Sequence, residues 1–257
     1  MRDLTYRVVN RVFLGVFALL GLRVDVRGAE RIPGRGAAVV AGNHIGYLDF
    51  TFIGLAASHR GRLVRFMSKS GVFDHPVSGP LMRAMRHIPV AREQGAGAYR
   101  QAGRELARGE LVGVFPEATI SRSWLLKDLK AGAARLAIEH RVPLVPVIVW
   151  GGHRILTVDK RWSLRRRRAV TVLVGEPITP YDGATLAVVS HELGRRMAVL
   201  LDRAQREYPD RPRSDEDRWW MPAVHGGTAP DVVEAARLDA EALARGAERT
   251  RARRTRR

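Results

Sequence analysis

The sequence predicts an α/β fold: a central, mostly parallel sheet flanked by helices, with an N-terminal interfacial helix and a helical, basic C-terminal tail. Three observations carry this prediction. Short apolar runs alternate with segments of helical periodicity along the chain. Most of those runs are apolar throughout, as strands covered by helices on both faces are. The chain has 257 residues, 46% of them apolar, enough for a full hydrophobic core.

Residues 12–22 (VFLGVFALLGL) are the one strongly apolar N-terminal stretch. A spanning helix needs roughly 20 such residues. Arg2, Arg7 and Arg11 precede the stretch and Arg23 follows it. No small-x-small cleavage pattern follows, as a signal peptide would require. The pattern predicts an interfacial helix, with Arg at headgroup depth and Phe13, Leu14, Phe17 and Leu20 reaching the acyl boundary. The competing reading is a helix packed on the chain's own core.

Residues 22–27 alternate as a half-exposed strand does, and a Pro/Gly turn occupies 30–36. Residues 36–41 (GAAVVA) form a buried strand that ends at Gly42-Asn43-His44. A helix over 47–57 leads to a strand at 63–68. A short helix at 79–86 leads to a strand at 87–90. A helix at 97–108 precedes the strand ELVGVF at 110–115, which Pro116 stops. After a helix at 131–139 comes the strand VPLVPVIVW at 142–150. Its two prolines remove ladder donors and predict an edge strand or a bulge. A strand at 170–174 closes the series, and an amphipathic helix covers 186–207. The segment PDRPRSDED after Tyr208 reads as a linker. Residues 231–257 are rich in Ala, Glu and Arg, helical in pattern, with the last dozen expected to be disordered.

The formal net charge is +18. Residues 160–168 carry six basic and no acidic side chains, and residues 245–257 carry seven Arg and one Glu, so these two patches account for 12 of the 18 charges. Anionic lipid headgroups, nucleic acid and phosphorylated substrates all suit such patches. No nucleic-acid-binding motif accompanies them. The chain has no cysteine, which excludes disulfides, thiolate zinc sites, iron–sulfur ligation and a cysteine nucleophile.

The candidate chemistry centres on N-H-I-G-Y-L-D-F, residues 43–50. His44 follows a buried strand, and Asp49 stands five residues later at the start of a helix. A carboxylate there can turn back, hold one ring nitrogen and leave the other free to take a proton from an alcohol. Arg92 and Glu117 also lie just past predicted strands, and in a parallel sheet those ends share one edge. Thr119 follows in a loop dense with polar groups. Lys69, Arg122 and Lys130 join Arg92 as candidate phosphate ligands. The eight histidines fall singly, so no metal site is expected.

In order, residues 44–49 (HIGYLD), 88–92 (IPVAR), 115–121 (FPEATIS) and 142–147 (VPLVPV) resemble four blocks of one family, as does the helix KAGAARLA at 130–137. The family is that of acylglycerol-phosphate acyltransferases, the PlsC-like enzymes. The resemblance spans about 42–147. It implies O-acyl transfer from acyl-CoA or acyl carrier protein to lysophosphatidic acid, giving phosphatidic acid. It assigns His44 as general base, Asp49 as its orienting partner and Arg92 as ligand of the acceptor phosphate. Glu117 and Thr119 would then position the acceptor, with help from Lys69 or Arg122. No cofactor or metal is implied, and no covalent intermediate, since the chain has no G-x-S-x-G elbow.

The chain then divides into a membrane-interface segment 1–28, an acyltransferase domain 29–207, and a linker with basic tail 208–257. Membrane lipids are the expected partner and the cytoplasmic face of the cell membrane the expected location, peripheral or monotopic. Ala118 stands where the family usually has glycine, Ile120 where many members have arginine, and the usual glycine before Ile88 is missing. Those departures bear on the acceptor: the same chemistry on a lyso-phospholipid or glycolipid is the alternative. A basic nucleic-acid-binding protein is the alternative from another class.

Overall fold

The computed structural model describes residues 3–91, 95–160 and 162–255. Along the chain run α1 (Leu4–Leu19), β1 (Arg23–Arg27), β2 (Ala38–Gly42), α2 (Asp49–Ser58), β3 (Val64–Lys69), α3 (Ser70–Phe73), α4 (Ser78–Ala84), β4 (Ile88–Val90), α5 (Gly95–Ala107) and β5 (Leu111–Val114). Then come α6 (Gly132–His140), β6 (Leu144–Trp150), β7 (Ala169–Val174), α7 (Leu186–Arg206) and α8 (Val232–Thr255). The chain divides into two compact units: Met1–Ile120 with Leu126–Asp210, and Ser121–Leu125 with Arg211–Arg257.

The first unit holds one seven-stranded sheet in the order β1-β7-β6-β2-β5-β3-β4. Pairing is parallel throughout except between β6 and β7. Strands β1 and β7 therefore run opposite to the other five. The ends of β2 to β6 and the starts of β1 and β7 lie along one edge. Strands β2, β6 and β7 are buried along their whole length, which explains their unbroken Val, Ile and Ala.

Two expectations are corrected by packing. Strand β6 is interior, between β2 and β7, which corrects the expected edge and leaves the expected bulge. Gly175 N–H donates to the Pro146 carbonyl at 2.8 Å, so the polar edge of Pro146 faces the segment just past the end of β7. The next bridge there is Leu144 to Ile178, one residue out of step, so the chain bulges where the proline lacks its N–H. A proline is tolerated inside the sheet because its partner strand has already ended.

Helix α1 is the second correction. Phe17 stacks on Phe52 at 4.9 Å and Phe13 meets Phe50 edge-on at 6.1 Å, so both rings face the core rather than a bilayer. Tyr6 donates to the Val64 carbonyl at 2.7 Å and anchors the other end of the helix. Leu14 does point outward, with Leu4, Val8, Val12, Val16 and Leu19. The helix is thus apolar on both faces. None of the described helices is long and apolar enough to cross a membrane.

In the second unit Trp124 Nε1 donates to the Trp219 carbonyl at 2.9 Å, which ties the 121–125 loop to the segment after Tyr208. Helix α8 extends to Thr255. It runs through most of the stretch expected to be disordered, since Ala, Arg and Glu are all good helix formers.

Candidate active site

Strand β2 leaves the sheet at Gly42, and the Asn43 side chain completes its pairing. Asn43 Oδ1 accepts from Val149 N–H at 2.7 Å, and its Nδ2 donates to the Val149 carbonyl at 3.0 Å. The amide thus stands in for one more strand residue, and the backbone is released to turn at His44. A Cβ on Gly42 would lie 2.4 Å from the Ile53 side chain and 3.3 Å from the Phe115 ring, so the turn is packed tightly.

The turn closes on Asp49, the first residue of α2. Asp49 is fully buried. Its Oδ2 lies 3.1 Å from His44 Nδ1 and accepts from the N–H groups of Ile45 and Gly46 at 2.8 Å each. A carboxylate beside Nδ1 fixes that nitrogen as the protonated one and leaves Nε2 with its lone pair. Asp49 Oδ1 has no hydrogen-bond partner among the described residues. The His44 ring stacks on Phe115 at 4.3 Å, and Phe115 on Phe66 at 5.8 Å, while the His44 side chain stays 22% exposed. One ring face is therefore packed, one nitrogen is held, and the other is available to a substrate. The turn is braced from outside by Thr157, whose hydroxyl donates to the Ile45 carbonyl at 2.7 Å.

Glu117, just past β5, is buried and holds the His44 main chain. Its Oε1 accepts from His44 N–H at 2.7 Å and its Oε2 from Lys127 N–H at 3.0 Å. Burial pushes its carboxyl up to about 8, against the pull of those two N–H groups and the Lys127 charge. Both oxygens are used within the protein, so Glu117 acts as a strut between two loops. Ala118 closes the turn by donating to the Phe115 carbonyl at 3.0 Å and takes the left-handed φ of 63°. The turn that glycine usually makes is kept, with the methyl group exposed.

The other expected residues are placed as follows. Thr119 is exposed, and its hydroxyl accepts from Lys127 Nζ at 2.6 Å. Lys69 is exposed at the end of β3, on the same sheet edge as His44. Lys130 is exposed, its main-chain N–H bound to the Pro116 carbonyl at 2.8 Å. Arg122 belongs to the second unit, where its guanidinium pairs with Asp239; that ion pair engages the group expected to help hold a phosphate. Arg92 lies outside the described residues. Sequence reasoning missed Asn43, Lys127 and Thr157. Asn43 adjoins the histidine and was legible as part of N-H-x4-D, whereas Lys127 and Thr157 sit in loops with no pattern. Among the described residues no group of three or more His, Asp or Glu could hold a metal ion.

A base of this kind can take a proton from a hydroxyl presented to Nε2. The family model named Acyltransferase matches residues 23–150, which contain Asn43, His44, Asp49, Phe115, Glu117 and Lys127. A lyso-ornithine lipid O-acyltransferase of Rhizobium meliloti is 31% identical, with 83% of this chain and 80% of that protein covered. A chloroplastic 1-acyl-sn-glycerol-3-phosphate acyltransferase of Arabidopsis thaliana is 28% identical over 70% of this chain and 49% of its own length. A chloroplastic enzyme of the same name from Brassica napus is 29% identical over 61% and 45%. The chain thus spans about half the length of these two plant relatives. In fold, it matches the crystal structure of the 1-acyl-sn-glycerophosphate acyltransferase PlsC of Thermotoga maritima with a TM-score of 0.68, at 20% identity, over 81% of this chain and 83% of that one.

Proposed function

The chain belongs to the Acyltransferase family, and on that premise we propose that it moves a fatty acyl group from a thioester to the hydroxyl of lysophosphatidic acid, giving phosphatidic acid. The observation that carries this reading is the His44–Asp49 pair, joined through Nδ1 at 3.1 Å with the His44 side chain 22% exposed just past the end of β2. His44 Nε2 takes the acceptor's hydroxyl proton as the oxygen attacks the acyl carbonyl. The thioester C–S bond breaks as the C–O bond forms, and the departing thiolate recovers the proton. Asp49 holds the tautomer and stabilises the imidazolium. The donor is acyl-CoA or acyl carrier protein, and placing two substrates in contact supplies much of the rate.

Arg92 is proposed as ligand of the acceptor phosphate, with help from Lys69, and Thr119, backed by Lys127, at the glycerol. Glu117 acts on the acceptor indirectly, through the main chain of His44. Membrane lipids are the proposed partner and the cytoplasmic membrane face the proposed location.

A second acceptor is favoured by two observations. The relative covered over 80% of its length carries the name of a lyso-ornithine lipid O-acyltransferase, and Ala118 and Ile120 depart from the usual third block. That reading keeps the chemistry and replaces the phosphate-bearing acceptor by another lyso-lipid alcohol.

The test is a transfer assay with labelled acyl-CoA and purified protein in detergent or liposomes, with His44→Ala alongside. Label in phosphatidic acid with wild type alone supports the first reading. Label moving only when a crude lipid extract is added supports the second. No transfer to any lipid from either acyl donor rejects both.

A further inference from the structure

We propose that the C-terminal segment positions the acceptor site, by gripping Arg122 and Trp124 at the tip of the loop that carries Glu117 and Thr119. That role rests on the acyl-transfer reading and gives the second unit a part in the reaction. The loop lies between β5 and α6, without helix or strand. Its neck belongs to the first unit. There Lys130 N–H donates to the Pro116 carbonyl at 2.8 Å, Lys127 N–H to Glu117 at 3.0 Å and Lys127 Nζ to the Thr119 hydroxyl at 2.6 Å. The two limbs are thereby tied to each other and, through Glu117, to His44 N–H.

The tip, Ser121–Leu125, groups instead with Arg211–Arg257. The chain leaves the first unit after Ile120 and returns at Leu126, so a displaced tip pulls along the backbone on Thr119 and Lys127. Ser121 Oγ donates to the Leu125 carbonyl at 2.7 Å and lies 3.2 Å from Ser123 Oγ. Ser121, Ser123 and Trp124 are all buried, whereas a polar loop tip is ordinarily solvated and mobile. Trp124 has a φ of 59°, a left-handed conformation that a bulky residue keeps only where its surroundings impose it. Those surroundings come from the C-terminal segment. Trp124 Nε1 donates to the Trp219 carbonyl at 2.9 Å, and the two indoles meet edge-on at 6.3 Å. Arg122 pairs with Asp239 of α8, both side chains being largely buried.

Both anchors are themselves fixed. Around Trp219, Thr228 N–H donates to the Arg218 carbonyl at 3.2 Å and Ala229 N–H to the Met221 carbonyl at 3.3 Å. A Cβ on Gly227 would collide with that Met221 carbonyl, so the turn is tight. Asp239 stands two turns into α8, whose N-terminus Asp231 caps by accepting from Glu234 N–H at 2.8 Å. The catalytic pair does not depend on this grip, because Asp49 is held by the N–H groups of Ile45 and Gly46 and the turn by Thr157. Loosening the tip therefore acts on the acceptor more than on the base. Arg122 serves the acceptor through Asp239 and not as a ligand of its phosphate.

The test is steady-state kinetics of the full chain with the lyso-lipid that takes label in the transfer assay above, beside hydrogen exchange of the peptide 116–131. Arg122→Glu and Asp239→Arg each leave a largely buried charge without its counterpart. Each should raise the acceptor KM on the order of tenfold, leave the donor KM unchanged and speed exchange in that peptide. Arg122→Glu combined with Asp239→Arg rebuilds the pair and should bring the acceptor KM back to within about threefold of wild type. A direct phosphate ligand behaves otherwise: Asp239→Arg would leave the acceptor KM unchanged or lower it, and the combined variant would rescue nothing. Either result overturns the proposal. Trp124→Phe keeps the ring and removes one N–H, so it should raise the acceptor KM a few-fold. It decides the matter if the charge variants do not fold, and a wild-type acceptor KM in folded Trp124→Phe then overturns the proposal. If wild type transfers label to no lyso-lipid, the acyl-transfer reading fails and the acceptor role fails with it, while the exchange data still show whether the segment holds the loop.

Discussion

Asp49 Oδ2 stands 3.1 Å from His44 Nδ1, and the same oxygen accepts the N–H groups of Ile45 and Gly46. The carboxylate is therefore oriented by the main chain before the imidazole is considered. His44 in turn has its N–H on Glu117 and its ring on Phe115. Neither residue needs the substrate to find its place, so little reorganisation is left for the reaction itself.

His44→Ala should lower kcat by roughly 10²–10⁴-fold, the usual contribution of a positioned general base. Asp49→Asn should cost nearly as much. Its amide can still accept the two backbone N–H groups through oxygen, but it cannot stabilise an imidazolium. KM for the acceptor should change little in either variant. Steady-state kinetics on folded protein checks this, and near-normal turnover of His44→Ala would remove the base assignment.

Ala118 at φ 63° carries a backbone conformation that costs an L-residue about 1–2 kcal/mol. Ala118→Gly relieves that cost but gains freedom in the unfolded chain, so stability should move by less than about 1 kcal/mol. Ala118→Val adds a β-branched side chain at positive φ and should destabilise by about 1–3 kcal/mol. Urea titration measures both. Equal stability of the Val and Ala proteins would mean that the turn relaxes without strain.

The parallel strand series was legible because β2, β6 and β7 are buried on both faces and read as unbroken apolar runs. His44 and Asp49 were legible because a strand end and a helix start place them together. Other features depend on partners distant in sequence. The Pro146 donor is dispensable only because β7 ends opposite it, which the run VPLVPVIVW alone does not reveal. Phe13 and Phe17 turn inward because Phe50 and Phe52 receive them from α2. An apolar helix with flanking Arg reads the same whichever face is covered. Arg122 looked like a phosphate ligand from its motif, and its partner Asp239 lies 117 residues away.

Two buried groups predict opposite pH dependences of stability. Burial raises Glu117 from 4.5 to about 8. Its contribution is complete below pH 4.5 and is lost as pH rises to about 8, because the unfolded chain ionises first. His87 accepts from Phe66 N–H through Nδ1 at 3.0 Å. Burial, reinforced by the Arg65 charge, lowers it from 6.5 to about 4. Its contribution is complete above pH 6.5 and is lost as pH falls to about 4, because the unfolded chain binds the proton first. Each slope is about 1–2 kcal/mol per pH unit. Between pH 4.5 and 6.5 they oppose each other; from pH 6.5 to about 8 that of Glu117 stands alone. Glu117→Gln should therefore flatten the decline above pH 6.5. His87→Gln should let stability fall from pH 4.5 onward, with nothing to offset it. Urea midpoints at half-unit pH steps would show both effects, and an unchanged slope above pH 6.5 in Glu117→Gln would mean that the Glu117 carboxyl is not raised.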